Sequence, residues 1–187
     1  MVNAEPQSSP PDSLAPGGHL AGHPGLTVPD GGEDVLPAIP VSAGALIFDR
    51  KGRLLILKPT YKSGWTIPGG VMEADGESPW EACKREVREE CGLLVRTGRL
   101  ACVDFRRPRP GRPGGIRYLF DCGRMGDEAL GAIALQAEEL SEFAILKLSK
   151  ALTLLRGPIR RRVRAACAAG AAVYLEDGRR VADVAAA

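Results

Sequence analysis

Two apolar runs open the ordered-looking part of the chain. Val41 to Asp49 and Arg53 to Lys58 are short, bounded and rich in aliphatic residues, and Asp49-Arg50-Lys51-Gly52 lies between them. That pattern predicts two strands joined by a turn. Further strands are expected over residues 93–105, 116–122 and 145–148, with a terminal strand and turn at Tyr174 to Gly178. Two stretches carry helical spacing instead. In the first, Trp80, Cys83, Val87 and Cys91 recur at three- and four-residue steps, giving one apolar stripe. Ser78 is placed to cap it, Pro79 to take its first position, Glu81 to complete a capping box, and Gly92 to end it. The second runs over residues 149–169, with Ser149 as its expected cap. Mixed strands followed by a helix, twice over, predict an α/β (α+β) domain rather than a doubly wound sheet.

Residues 1–37 are a different material. Pro, Gly, Ser and Asp dominate, with both histidines (His19 and His23), and aromatic or β-branched residues are scarce. Such a composition buries too little surface to repay its ordering entropy, so a disordered tail is expected, with the folded domain spanning 38–187. The tail lacks a basic start and an apolar run, so it does not read as a secretory signal. No stretch approaches the roughly 18 apolar residues needed to span a membrane.

The chemistry concentrates on the first helix. At about 3.6 residues per turn, Glu86, Glu89 and Glu90 lie at roughly 0°, −60° and +40° around the axis. Three carboxylates on one ridge repel one another. A hard divalent cation with oxygen ligands removes that penalty. Arg85 precedes Glu89 by four residues and can brace it through a charge-assisted hydrogen bond. Upstream, Gly64-Trp65-Thr66-Ile67-Pro68-Gly69-Gly70 is permissive backbone able to present an amide or carbonyl to a metal or phosphate. Trp65 reads either as a stacking surface for a base or as a core aromatic, with the core reading favoured.

Read from Gly70 to Leu93, this segment resembles the signature of the Nudix hydrolases. In that pattern a glycine is followed by five residues, a glutamate, seven residues, and then Arg-Glu, an aliphatic, any residue, Glu-Glu, any residue, Gly and an aliphatic. Everything from Glu77 onward matches; between Gly70 and Glu77 stand six residues, Val71 to Gly76, one more than in the pattern. The resemblance implies a mixed β-sheet sandwiched between α-helices. It implies Mg²⁺, with Mn²⁺ able to substitute, on Glu86, Glu89, Glu90 and the Gly70 carbonyl. Glu86 is then a ligand or general base, and Arg85 orients the carboxylates. The implied reaction is cleavage of a nucleoside diphosphate linked to another moiety, by attack of a metal-activated water on phosphorus. Relatives recruit a further carboxylate from outside the box, and Glu139 is the candidate here.

Two basic clusters remain. Arg106, Arg107 and Arg109, in a Pro-rich connection with Arg112, read equally as a phosphate-gripping flap, since guanidinium matches phosphate oxygens bidentately, and as a solvated Pro-Arg loop. Arg160, Arg161, Arg162 and Arg164 lie on the second helix without interleaved aromatics, and read as a solvated face rather than a nucleic-acid patch. A formal net charge of +2 adds no general attraction to nucleic acid or membrane. Five cysteines, odd in number and without a C-x-x-C pair, indicate neither a disulfide framework nor a zinc site and point to the cytoplasm. The expected partner is a small nucleoside diphosphate derivative, and a homodimer is compatible with the sequence. Two other readings stay open: a non-catalytic sensor or regulator in which the extra residue has spoiled the metal shell, and an RNA-end-processing protein that uses the arginines.

Overall fold

A computed structural model describes residues 39–184; the tail expected over 1–37 lies outside the described residues. The strands are β1 (Val41–Asp49), β2 (Leu54–Pro59), β3 (Gly69–Val71), β4 (Arg99–Arg106), β5 (Gly115–Met125), β6 (Leu140–Leu146), β7 (Val173–Glu176) and β8 (Arg179–Arg180). Seven of them run in the order β6-β2-β1-β5-β4-β7-β8, and β3 pairs with β1 off that path. The β1–β5 and β4–β7 pairs are parallel and the others antiparallel, so the sheet is mixed.

The strand β1 shows why both faces of the sheet are covered. Ala43, Ala45 and Ile47 point to a core shared with Ala82, Cys83, Val87 and Cys91 of helix α1 (Pro79–Cys91). The alternate residues Leu46 and Phe48 point to a second core. That core is closed by Ala151 of α3 (Leu148–Leu154) and by Val163 and Ala166 of α4 (Gly157–Ala168). A strand buried on both sides must be apolar at successive positions, which is why its sequence reads as a run rather than an alternation. Each buried Leu or Ile contributes about 1.5–3 kcal/mol relative to exposure. Trp65 packs at the edge of the second core, as a core aromatic. No helix among the described residues is long and apolar enough to cross a membrane.

Helix α1 starts and stops where expected. The Ser78 hydroxyl accepts from the Glu81 N–H at 3.3 Å, the Glu81 carboxylate accepts from the Ser78 N–H at 2.9 Å, and Gly92 closes the helix at φ 69°. Loss of such a cap typically costs about 1 kcal/mol.

Elsewhere the boundaries shift. The helix expected over 149–169 is two helices, broken where Leu155 and Arg156 turn extended ahead of Pro158. Pro158 has no N–H to donate to the carbonyl four residues before it, that of Leu154, and is instead accommodated in the first turn of a new helix. Ser149 is therefore inside α3, whose N-cap is Lys147. The strand expected from 93 begins only at Arg99, because 93–98 runs as irregular chain burying Leu93 and Val95 beneath α1. The short strand expected at 145–148 is the end of a longer one, β6, which pairs along β2 from Leu146 back to Leu140. Arg162, placed on a solvated face by its neighbours' charge, is buried: it shares the inward side of α4 with Val163 and Ala166.

Candidate active site

Strand β3 and helix α1 build the site between them. Pairing of β3 with β1 sets Gly70 opposite Ala43 and Gly69 opposite Gly44, and α1 packs across that corner. Glu90 reaches back to the strand, where its Oε2 accepts the Gly69 N–H at 2.7 Å. It is only 7% exposed, so its position is fixed. Glu86 lies alongside: a Cβ on Gly70 would fall 2.3 Å from its Oε1. Glu89 turns outward, half exposed. The single ridge read from the sequence is thus a fan, with Glu86 central, Glu90 buried and Glu89 facing solvent.

Arg85 ties the fan together. Its Nε and Nη2 donate to the two carboxylate oxygens of Glu77 at 2.8 and 3.1 Å. Its Nη1 donates to Glu86 at 2.9 Å and Glu89 at 3.0 Å, and Nη2 also reaches the Val71 carbonyl at 3.0 Å. Glu77 was not picked out as a site residue, because it precedes the helix and shares no helical period with the others. The bidentate geometry shows its part: it orients the arginine that orients the acids. Its carboxyl is held below the usual range, chiefly by the Arg85 hydrogen bond.

The extra residue between Gly70 and Glu77 sits in an exposed turn. Asp75 Oδ1 accepts the Glu77 N–H at 3.1 Å, the Glu73 N–H donates to Glu77 Oε2 at 2.9 Å, and Gly76 adopts φ 98°. The bulge leaves Gly70 against Glu86 and the N-cap of α1 intact.

Glu139 reaches the same corner by a different route. The chain between α2 (Asp127–Gly131) and β6 docks on the end of α1, with Ala134 N–H on the Cys91 carbonyl at 3.1 Å and Gln136 N–H on that of Glu90 at 3.4 Å. Thr60 then pins it, its N–H donating to the Glu139 carbonyl at 2.8 Å. The charges interact accordingly. Burial, then the neighbouring charges of Glu86 and Glu139 acting against the Gly69 hydrogen bond, pushes the Glu90 carboxyl up to about 8. Burial also raises Glu86, opposed by Arg85 and reinforced by Glu89 and Glu139.

Among the described residues no three His, Cys, Asp or Glu side chains stand close enough to form a ready-made metal cage. The donor set nonetheless fits a hard divalent cation. All its side-chain donors are carboxylate oxygens, and the buried Glu90 carboxylate, beside the charges of Glu86 and Glu139, is offset only in part by the Gly69 N–H and the charge of Lys62.

The arginine flap is placed elsewhere. Arg107 pairs with Glu176 and Arg109 with Asp177, the latter at 3.1 Å, and Arg109 and Arg112 exchange backbone hydrogen bonds in a tight turn between β4 and β5. The charged groups of Arg107 and Arg109 are engaged by β7 and the turn after it, not by the box; Arg106 lies at the base of the same hairpin.

A family model for the NUDIX domain matches residues 38–167. The chain belongs to the Nudix hydrolase family. It is 31% identical over 112 residues to a "MutT-like protein" of Streptomyces ambofaciens, a match covering 57% of this chain and 70% of that one. It is 33% identical over 98 residues to a Danio rerio protein named "8-oxo-dGDP phosphatase NUDT18", covering 51% of this chain but only 27% of the relative. Among solved structures, the MutT protein from Methanosarcina mazei Go1 superposes with a TM-score of 0.60 at 27% identity, over 70% of this chain and 94% of that one. The expected Nudix fold is thereby shown, and the strands β7 and β8 lie beyond the family match.

The two glycines of β3 make opposite predictions. Gly69 has φ 140°, and a Cβ there would lie 2.3 Å from the Ala43 carbonyl oxygen. Gly69→Ala therefore drives backbone into backbone and should cost about 3 kcal/mol or more. At Gly70 the obstacle is the movable end of Glu86. Gly70→Ala should keep its melting temperature within a few degrees while displacing that carboxylate. Turnover then falls by about 10–100-fold. Thermal melts run beside activity assays separate the two.

Proposed function

We propose that the chain is a Mg²⁺- or Mn²⁺-dependent pyrophosphohydrolase acting on a nucleoside diphosphate linked to another moiety. The observation that carries this is the Arg85-centred carboxylate fan, with buried Glu90 tethered to Gly69. Glu86, Glu89 and Glu90, with the Gly70 carbonyl, would hold the ion, and Glu139, whose charge acts on Glu86 and Glu90, is the candidate to join them. When bound, such an ion neutralises charge on diphosphate oxygens and lowers the pKa of a water.

The protein's own groups do the rest. Arg85 holds Glu86 and Glu89 in register, so that the acids need not reorganise during reaction. Glu86, raised by burial, is suited to take the proton of the attacking water. The water oxygen bonds to phosphorus as the bridging P–O bond breaks, and the leaving phosphate departs with the electron pair. No histidine lies in the region matched to the family, and no activated serine or cysteine motif offers a covalent route.

The test is a panel of ADP-ribose, NADH, dinucleoside polyphosphates and oxidised nucleotides, with Mg²⁺ or Mn²⁺ and with EDTA. The expected result is metal-dependent release of a nucleoside monophosphate, with ¹⁸O from labelled water in a phosphate product. Binding of these ligands by folded protein with no turnover under any metal would favour the sensor reading instead.

A further inference from the structure

We propose that the cavity behind Gly69 and Gly70 binds a second anionic group of the substrate, a phosphate or carboxylate outside the scissile pyrophosphate, between Arg117, Arg162 and Lys62. This rests on the pyrophosphohydrolase reading and names the class of substrate that site would take. The cavity is about 170 Å³ and is lined by Ser42 and Gly44 of β1, Arg117 of β5, Arg162 of α4 and Lys62, as well as by the two glycines. Among the described residues no Asp or Glu lines it.

Arg162 is the decisive residue. It is 8% exposed, and among the described residues its buried Nε makes no hydrogen bond. Its nearest acid is Asp104, whose Oδ2 stands 3.6 Å from Nε and is itself without a hydrogen-bond donor. The other oxygen of Asp104 accepts the Gly178 N–H at 2.7 Å. A purely structural pair would close to about 2.8 Å and satisfy its donors. Instead the buried Nε keeps its N–H uncommitted, which is unfavourable unless something completes it. Arg117 is built differently. Its donors rest on the carbonyls of Gly114, Ile116 and Pro40 at 3.2, 3.4 and 3.5 Å, which fix the group without neutralising it. Burial lowers both arginines, and the charge of Arg106 adds to it, with Asp104 opposing the shift in each.

Lys62 joins this cavity to the carboxylates. It lines the cavity, and its charge acts on Glu90, whose partner Gly69 forms the shared wall. A substrate with its pyrophosphate at the glutamates thus has cationic space within reach of its remaining part. Arginine and lysine offer donors only, so the group they suit is rich in acceptors and carries negative charge. An oxidised guanine, which sets an N–H beside its carbonyl oxygens, needs an acceptor facing it; among the described residues the cavity's lining offers neutral hydroxyls, on Ser42, Thr66 and Tyr118, and no carboxylate.

The experiment compares matched substrates at saturating Mg²⁺: UDP-glucuronate against UDP-glucose, and NADPH against NADH. At least one charged member should be preferred about tenfold or more in kcat/KM, and Arg162→Met should bring that ratio close to one. A structural role for Arg162 does not move such a ratio. Because Arg162→Met leaves Asp104 buried alone, Asp104→Asn/Arg162→Met provides a folded control that keeps an acceptor for Gly178. Equal kcat/KM within both pairs, or a preference surviving in the variants, overturns the proposal. Calorimetry with inorganic phosphate in metal-free buffer gives a readout independent of turnover. Binding should weaken about tenfold in the double variant, and binding that is absent or insensitive to Arg162 also counts against it. If phosphate binds through Arg162 but neither the pairs nor the wider nucleotide panel is hydrolysed under any metal, the anion site stands and the enzymatic reading falls.

Discussion

Glu90→Gln should abolish most turnover while making the metal-free protein more stable. The activity loss is expected to be on the order of 10³ in kcat at saturating Mg²⁺, the scale seen when one preorganised electrostatic partner of a transition state is removed. The stability gain follows from the environment of the carboxyl. Burial and the charges of Glu86 and Glu139 raise it to about 8 in the folded state, against an ordinary value of 4.5. Between those two values the folded protein binds more protons than the unfolded chain, so stability falls as pH rises through that window. Glutamine has no proton to lose, and its carbonyl can still accept the Gly69 N–H. At pH 8 without metal the variant should therefore be the more stable, by up to about 4 kcal/mol, a gain that shrinks as pH falls and vanishes below about pH 4. Adding Mg²⁺ should raise the melting temperature of the wild type and leave the variant nearly unmoved. A variant retaining activity within tenfold of wild type, or melting lower at pH 8, would remove Glu90 from the centre of the site.

The helix bearing these acids was legible because several local signals agree on it. Ser78, Pro79, Glu81 and Gly92 mark its ends, and Cys83, Val87 and Cys91 mark its buried side. What could not be read was anything depending on partners distant in the chain. Arg162 looked like one of four solvated arginines. Its burial depends on Asp104 from β4 and on the inward phase of α4, which begins only after the break at Leu155 to Pro158. Arg107 and Arg109 looked free to grip phosphate, yet Glu176 and Asp177, about seventy residues further on, engage them. Those acids belong to β7 and its turn, outside the family match, so the resemblance carried no information about them. Glu139 was found only as an acid near a strand end; the hydrogen bonds from Thr60 and to the end of α1 that bring it to the box join separate elements.

Arg85→Lys should reduce activity by about 100-fold with little loss of stability, because the arginine acts through the acids it holds. An ammonium is a compact charge and cannot span Glu77, Glu86, Glu89 and the Val71 carbonyl at once. The remaining positive charge still offsets the cluster, so the fold tolerates the change. Arg85→Met removes that charge and should cost about 3 kcal/mol as well, since Glu77 and Glu86, both mostly buried, lose their cation. The positioning role has its own signature. Both variants should weaken Mg²⁺ binding and lower kcat more than they raise the KM for substrate. Glu77→Gln, which loosens Arg85 while leaving the fan's acids in place, should show a milder form of the same defect. The Glu77→Gln/Arg85→Met double variant should then lose clearly less than the sum of the two single losses. Additive losses would mean that Glu77 and Arg85 act separately, and that the bidentate contact between them does not set the geometry of the carboxylates.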